Sequence, residues 1–222
     1  MSKMSHDPSL YSELIPAEDS ALTRKCGARR LMIMLHGLGD SIEGYRWMPP
    51  ALGLPWLNYL LVNAPDEYFG GYSWYDFIGE MAPGVARSRK LLFDLLDAQR
   101  ANGFPTEQTV LGGFSQGGLM SIEVGFRYRH PLAGILSISG YVFEPEQLVE
   151  ELSPVAFQQR LLVTHGTLDP MVPFPVVREQ INILKSAGLH IEWHEFVKAH
   201  NIAGEMELEL IRGFLRARYA AG

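Results

Sequence analysis

The sequence contains very little cysteine and no long hydrophobic run. Cys26 is the single cysteine among 222 residues, which excludes both an intrachain disulfide and a zinc site built from several cysteines. No apolar stretch reaches the roughly 18 residues of a membrane-spanning helix, and no run of signal-peptide type follows Met1. We therefore expect a cytoplasmic protein without a transmembrane segment.

The sequence also lacks an excess of basic residues. The 19 Lys and Arg are outnumbered by 25 Asp and Glu, which gives a formal net charge of −6. A nucleic-acid partner or a polybasic membrane anchor would each require a basic surface, so we predict neither. Since 47% of the residues are hydrophobic and no linker or repeat interrupts them, we expect one domain over residues 1–222. Residues 1–28 are expected to be peripheral or partly mobile, and a peripheral strand within them is an alternative that we retain.

Buried strands alternate with helices along the chain. Short apolar runs of strand length, suited to a sheet buried on both faces, occur at 31–35, 59–62, 109–114, 132–140 and 161–165. Helical patterns are found at 45–52, 84–101, 116–129, 176–187 and 203–219, with an alternating strand at 191–197. This order predicts an α/β fold with a mostly parallel central sheet and helices on both faces. Residues 65–83 are predicted to form a long aromatic loop, a feature that is usually functional.

The pattern Gly-x-Ser-x-Gly occurs where a strand passes into a helix. Ser115 stands between Gly113 and Gly117 at this point. In a tight strand-to-helix turn the serine is exposed near a helix N-terminus, and the flanking positions leave no space for side chains. The alternative is a structural turn with an incidental serine, but the strand and helix around it favour a nucleophile.

A serine nucleophile needs an acid to orient its base, and Asp169 follows a predicted strand within a few residues. Catalytic residues in an open parallel sheet gather beyond the carboxyl ends of the strands. Asp169 also precedes a proline, which is typical of a turn-forming aspartate. Glu144 and Glu146, after the preceding strand, are the alternative acids.

Seven histidines compete for the role of the base. Histidines at predicted surface positions are His6 and His130. His190 and His194 share a strand face without a third metal ligand, and His36 and His165 precede glycines where a loop-fixing role is common. His200 lies beyond the carboxyl end of the last strand and completes the order Ser115, Asp169, His200, which is that of α/β-hydrolases.

Backbone N–H groups must hold the oxyanion that forms when the serine attacks a carbonyl. One donor should be the N–H of Gln116, directly after the nucleophile. The other should come from the loop after the 31–35 strand, where Leu38 stands between two glycines that let the backbone approach closely. We expect Gln116 to act through its N–H rather than its side chain.

Five motif segments occur in order along the chain: His36–Asp40, Ser73–Asp76, Gly113–Gly118, His165–Pro173 and His200. Together they resemble the phospholipase/carboxylesterase family of α/β-hydrolases, which includes acyl-protein thioesterases. The resemblance implies the α/β-hydrolase fold with a minimal lid, no metal and no cofactor. It implies that Ser115, Asp169 and His200 are the catalytic residues and that Leu38 and Gln116 form the oxyanion hole. One departure is Ala199, which stands where the family usually has glycine.

The implied activity is hydrolysis of short- to medium-chain acyl esters through an acyl-serine intermediate. Acyl-protein thioesterase or lysophospholipase activity is the alternative within this mechanism, and a non-catalytic binding protein of the same fold is the alternative outside it. The partner is an acyl ester or thioester, and a homodimer is kept open. We predict an apolar acyl site contacted by Trp74, Phe77, Met81, Met171 and Val172.

Overall fold

The computed structural model describes residues 10–18 and 29–219, so His6 and Cys26 lie outside the described part of the chain. The described strands are β1 (Ser12–Ile15), β2 (Leu31–Leu35), β3 (Asn58–Val62), β4 (Asp66–Tyr68), β5 (Gly71–Ser73), β6 (Thr109–Phe114), β7 (Gly134–Ile138), β8 (Arg160–Gly166) and β9 (His190–Phe196). Seven of them form the central sheet in the order β1-β3-β2-β6-β7-β8-β9. The edge strand β1 is antiparallel to β3 and the other pairs are parallel. The mostly parallel sheet confirms the prediction, with β1 as the peripheral strand.

Helices cover both faces of the sheet. They are α1 (Met48–Leu52), α2 (Met81–Ala101), α3 (Gln116–Gly125), α4 (Pro145–Glu150), α5 (Phe174–Ser186) and α6 (Glu205–Tyr219), with 3-10 turns at Ile42–Tyr45, Thr106–Gln108 and Ala156–Gln158. Successive residues of β2 alternate between two hydrophobic clusters, Ile33 in one and Met34 in the other. The first cluster also contains side chains of α2, α3, α4 and α5, and the second contains those of α1 and α6. This arrangement explains why the central strands are apolar throughout.

The segment 65–83 is not the continuous loop that the sequence predicted. It contains the antiparallel hairpin β4–β5, and α2 begins at Met81. The hairpin turn has positive φ at both central residues, 46° at Phe69 and 88° at Gly70. In sequences, such turns are usually recognised by Asn-Gly or Asp-Gly. Here phenylalanine occupies the first position, so that pattern is absent. Strands of three residues are also too short to show an alternation of polar and apolar residues.

The strand order places a crevice between β2 and β6. The chain leaves β2 toward α1 on one face and leaves β6 toward α3 on the other, although the two strands are hydrogen-bonded neighbours. Loops that diverge in this way leave a gap at the carboxyl end of the sheet, where ligands bind in open α/β folds. Leu38 follows β2 and Ser115 follows β6, so both residues border this crevice.

Candidate active site

Ser115 lies in a sharp turn between β6 and α3. Its backbone has φ 54° and ψ −117°, a strained conformation for a non-glycine residue, and its N–H donates to the carbonyl of Ile138 at 2.9 Å. A Cβ atom at Gly113 would lie 2.2 Å from the carbonyl oxygen of Gly117, and one at Gly117 would lie 2.3 Å from that of Leu35. The close contact of α3 with the strands therefore requires glycine at both positions.

His200 joins Ser115 to Asp169. Its Nε2 lies 2.8 Å from Oγ of Ser115, and its Nδ1 lies 2.7 Å from Oδ2 of Asp169. The carboxylate can only accept, so Nδ1 carries the proton and Nε2 presents its lone pair to the serine hydroxyl. The ring also packs against Phe114, with the centroids 4.9 Å apart. These contacts bring together the three side chains that the sequence singled out.

Asp169 is both a turn residue and the partner of His200. Its Oδ1 accepts the N–H groups of Met171 and Val172, both at 2.9 Å, while its Oδ2 faces the imidazole. Burial by itself raises the pKa of this carboxyl, but the N–H of Val172, the contact with His200 and the N–H of Met171 outweigh it. The pKa of Asp169 is therefore held below its ordinary value, and the carboxylate is ionised at neutral pH.

The alternative acids and bases lie elsewhere. Glu144 and Glu146 are exposed at the start of α4. His190 and His194 are on the edge strand β9. Among residues 10–18 and 29–219, no group of three or more His, Cys, Asp or Glu side chains has the geometry of a metal site.

Two buried histidines fix the loops of the site. His36 donates from Nδ1 to the carbonyl of Gly37 at 2.6 Å and accepts the N–H of Ala64 on Nε2 at 3.0 Å. His165 contacts the carbonyl of Val172 through Nε2 at 3.0 Å. Burial lowers the pKa of both imidazoles, which favours their neutral forms. One histidine thus supports the loop after β2, and the other supports the loop that contains Asp169.

Leu38 and Gln116 line the same cavity as Ser115. Gln116 is the first residue of α3, so its N–H has no acceptor within the helix. In the described part of the chain the N–H of Leu38 donates to no backbone carbonyl, whereas its neighbour Gly39 donates to Tyr72 at 2.9 Å. Both donors are therefore available to a ligand, and β5 fixes the loop that contains Leu38.

The side chain of Gln116 has a structural contact that the sequence did not predict. Its Oε1 accepts the N–H of Trp74 at 3.0 Å and the hydroxyl of Ser73 at 3.2 Å, and its Nε2 donates to the carbonyl of Tyr75 at 3.1 Å. Only 2% of the residue is exposed. We call these contacts the Gln116 latch, because they attach the segment after the hairpin to the N-terminus of α3.

A cavity of about 200 Å³ opens in front of Ser115. Of the residues predicted to contact an acyl group, Phe77, Met171 and Val172 line it. Phe77 and Met171 are half or more exposed, so they border its mouth. Two further lining residues, Phe114 and Tyr141, were not predicted. A usable signal existed for both, since Phe114 is inside the Gly-x-Ser-x-Gly pattern and Tyr141 follows β7 at the carboxyl edge.

Trp74 and Met81 do not line this cavity. Trp74 is completely buried in the core, and its Nε1–H donates to the carbonyl of His36 at 2.9 Å. Met81 starts α2 and packs against the same hydrophobic cluster. Both side chains pack against the hydrophobic core instead of the cavity, Trp74 fully buried and Met81 partly buried. Trp74 thus supports the loop that contains Leu38 from behind.

Alanine before the histidine is accommodated without strain. The described non-glycine residues with positive φ are Phe69, Ser115, Ser139 and Glu144, and Ala199 is not among them. Its side chain is exposed. The backbone at this position therefore does not require glycine.

Comparison with known proteins identifies the family. A family model described as Phospholipase/Carboxylesterase matches residues 22–218. The chain belongs to this family. The match confirms both the α/β-hydrolase fold and the resemblance inferred from the motifs.

Individual relatives agree with this assignment. A protein of Schizosaccharomyces pombe named Acyl-protein thioesterase 1 is 35% identical over 159 residues, covering 64% of this chain and 69% of that protein. A protein of the same name from Debaryomyces hansenii is 28% identical over 226 residues, covering 92% and 97% of the two chains. The crystal structure of esterase PE8 has a TM-score of 0.82 at 27% identity and covers 95% of this chain and 99% of its own.

None of the described helices is long and apolar enough to cross a membrane.

Proposed function

We propose that the protein is a carboxylic ester hydrolase that works through an acyl-Ser115 intermediate, with Asp169 and His200 completing a catalytic triad. The observation that carries the proposal is the pair of hydrogen bonds made by His200, 2.8 Å to Ser115 and 2.7 Å to Asp169. Both distances are within the range that proton transfer requires. Membership of the phospholipase/carboxylesterase family supports the same chemistry.

In the acylation step, Oγ of Ser115 attacks the carbonyl carbon while Nε2 of His200 removes the hydroxyl proton. The negative charge then moves to the carbonyl oxygen, which the N–H groups of Leu38 and Gln116 stabilise. Collapse of this intermediate breaks the bond to the leaving group, which takes the proton from His200. The ionised Asp169 stabilises the imidazolium meanwhile. Water repeats the sequence on the acyl-enzyme and releases the carboxylic acid.

The cavity supports short to medium acyl chains. Its volume of about 200 Å³ is below the ~300–1,000 Å³ of pockets that enclose drug-sized ligands. Its wall is mainly apolar, with Phe77, Met171 and Val172. A longer chain would extend past the cavity mouth into solvent.

A thioester is the second candidate substrate. The relatives from the two yeasts are named acyl-protein thioesterases, and a thiolate leaves the tetrahedral intermediate by the same steps as an alkoxide. Measuring kcat/KM for p-nitrophenyl esters of increasing chain length beside an acyl-thioester and a palmitoylated peptide separates the two. A preference for the palmitoylated peptide would favour the thioesterase.

The assignment of the nucleophile is tested by Ser115→Ala. We expect kcat to fall by a factor on the order of 10⁵–10⁶ with an unchanged circular dichroism spectrum. Ser139→Ala is the matched control, because Ser139 also has positive φ and also follows a parallel strand of the sheet. This substitution should leave activity unchanged. Ester hydrolysis retained in Ser115→Ala would contradict the proposal. Absence of fluorophosphonate labelling in the wild type would instead favour a binding protein.

A further inference from the structure

A buried ion pair lies next to the base but takes no part in the chemistry described above. Nζ of Lys198 is 2.6 Å from Oε1 of Glu207, and the two side chains are 3% and 0% exposed. Lysine and glutamate are almost never fully buried unless they are paired. Lys198 precedes His200 closely in the chain, whereas Glu207 belongs to the first turn of α6. The pair therefore connects the loop that contains the base to a helix.

The pair holds this loop at both ends. Oε2 of Glu207 accepts the N–H of Ala203 at 2.5 Å, beyond His200, while Oε1 binds Lys198 before it. The backbone of Lys198 makes a further connection, since its carbonyl accepts the N–H of Leu168 at 3.1 Å. Lys198 thus joins the loop of the acid, the loop of the base and α6.

Space around this junction is tight. A Cβ atom at Gly166 would lie 2.4 Å from the carbonyl oxygen of Lys198 and 2.8 Å from that of Ala199. The strand end that leads to Asp169 is therefore in direct contact with the backbone that leads to His200. A displacement of Lys198 would move the two partners of the Asp169–His200 hydrogen bond relative to each other.

We infer that Lys198 and Glu207 are positioning residues for the reaction, which hold the imidazole of His200 in line with Oγ of Ser115. This inference rests on the proposed function. A buried ion pair adds little stability compared with apolar side chains of similar size. Here the pair fixes the position of the loop, because the ammonium group and the two carboxylate oxygens each hold one part of it in place.

Loss of the pair should affect the chemical step and not substrate binding. A misplacement of about 1 Å in a catalytic group costs up to roughly 100-fold in rate. We expect kcat to fall about 10–100-fold, with KM changed less than about twofold. KM is spared because the cavity residues Leu38, Phe77 and Tyr141 belong to other loops.

Three variants test the inference. Glu207→Gln removes the negative charge but keeps one side-chain oxygen, so only one of the two contacts, to Lys198 or to Ala203, can be retained. This variant should lose less activity than Lys198→Met. The double variant Lys198→Met/Glu207→Leu removes both charges and leaves no ion unpaired in the core. Lys90→Met is the matched control, because the pair of Lys90 with Asp94 is on the surface with more than 60% of each side chain exposed.

The measurements are kcat, KM and the rate of inactivation by a fluorophosphonate, taken well below the melting temperature of each variant. A fall in kcat and inactivation rate at constant KM supports the inference. Wild-type kcat in the folded variants, or a lower melting temperature alone, overturns it. If the single variants do not fold, the double variant decides by the same criteria. Ester hydrolysis retained in Ser115→Ala would defeat the proposed function itself, so the two failures are distinguishable.

Discussion

From the contacts of the Gln116 latch we predict that the side chain of Gln116 contributes more to the stability of the fold than to the chemical step, although it lies next to Ser115. The variant Gln116→Leu keeps the approximate volume of the side chain and removes all three of its polar contacts. The backbone N–H of residue 116 remains in the variant. The variant therefore separates the role of the latch from that of the proposed oxyanion donor.

The expected cost follows from what each partner loses. The N–H of Trp74 becomes a buried donor without an acceptor, because its contact with Gln116 at 3.0 Å has no replacement, and this costs about 1–3 kcal/mol. The carbonyl of Tyr75 keeps the hydroxyl of Ser73 at 2.7 Å, so the remaining losses are smaller. We expect the free energy of unfolding to fall by about 2–4 kcal/mol. This corresponds to a melting temperature lower by roughly 4–16 °C in a chain of this size.

Urea denaturation followed by tryptophan fluorescence and by circular dichroism measures the change. Gln147→Leu is the control, since its side chain makes a single exposed hydrogen bond to Glu151 at 2.9 Å and should change stability by less than about 0.5 kcal/mol. The kcat of folded Gln116→Leu should stay within about tenfold of wild type, because the N–H remains. Wild-type stability would refute the latch. A loss of kcat beyond 100-fold at wild-type stability would show that the side chain acts on the substrate.

Three further predictions concern other parts of the site. Burial lowers the pKa of His36 and His165, so the unfolded chain binds their protons first and the melting temperature should fall as the pH drops below about 6.5. A constant melting temperature between about pH 7.5 and 5.5 would contradict this. Ala199→Gly should leave kcat within about twofold and lower stability by about 0.4–1 kcal/mol, as urea titration and ester assays can check; a gain in kcat would mean that alanine strains the loop. Phe77→Ala should lower kcat/KM about 5–10-fold for an octanoyl ester and much less for an acetyl ester, and equal losses for both would remove Phe77 from the acyl site.

The sequence predicted the central sheet well because its strands are buried on both faces. Continuous apolar runs such as Leu31–Leu35 have few alternatives at that length. The candidate site could be predicted from the sequence equally well, since the carboxyl ends of parallel strands share one edge of the sheet. A serine, an aspartate and a histidine that each follow a strand therefore lie along that edge, and here they are joined by hydrogen bonds.

The structure of the segment 65–83 was not predictable by the same rules. Its strands have three residues each, and its turn places phenylalanine where positive φ normally calls for asparagine or glycine. The aromatic residues of this segment stand out in the sequence, but which way each side chain points depends on the hairpin. Trp74 points into the core and Phe77 lies at the cavity mouth, although only two residues separate them.

The same lesson applies to Lys198 and Glu207, the residues proposed to position His200. His200 was recognisable from its place after the last strand, whereas the contact of Lys198 with Glu207 depends on how α6 returns to the sheet. A charged residue near a strand end is usually solvated, and composition gives no sign that this lysine is buried. Reactive groups can thus be found from the order of strands and loops. The side chains that fix their positions become visible only through burial, and those side chains decide whether a triad with the correct residues also has the correct distances.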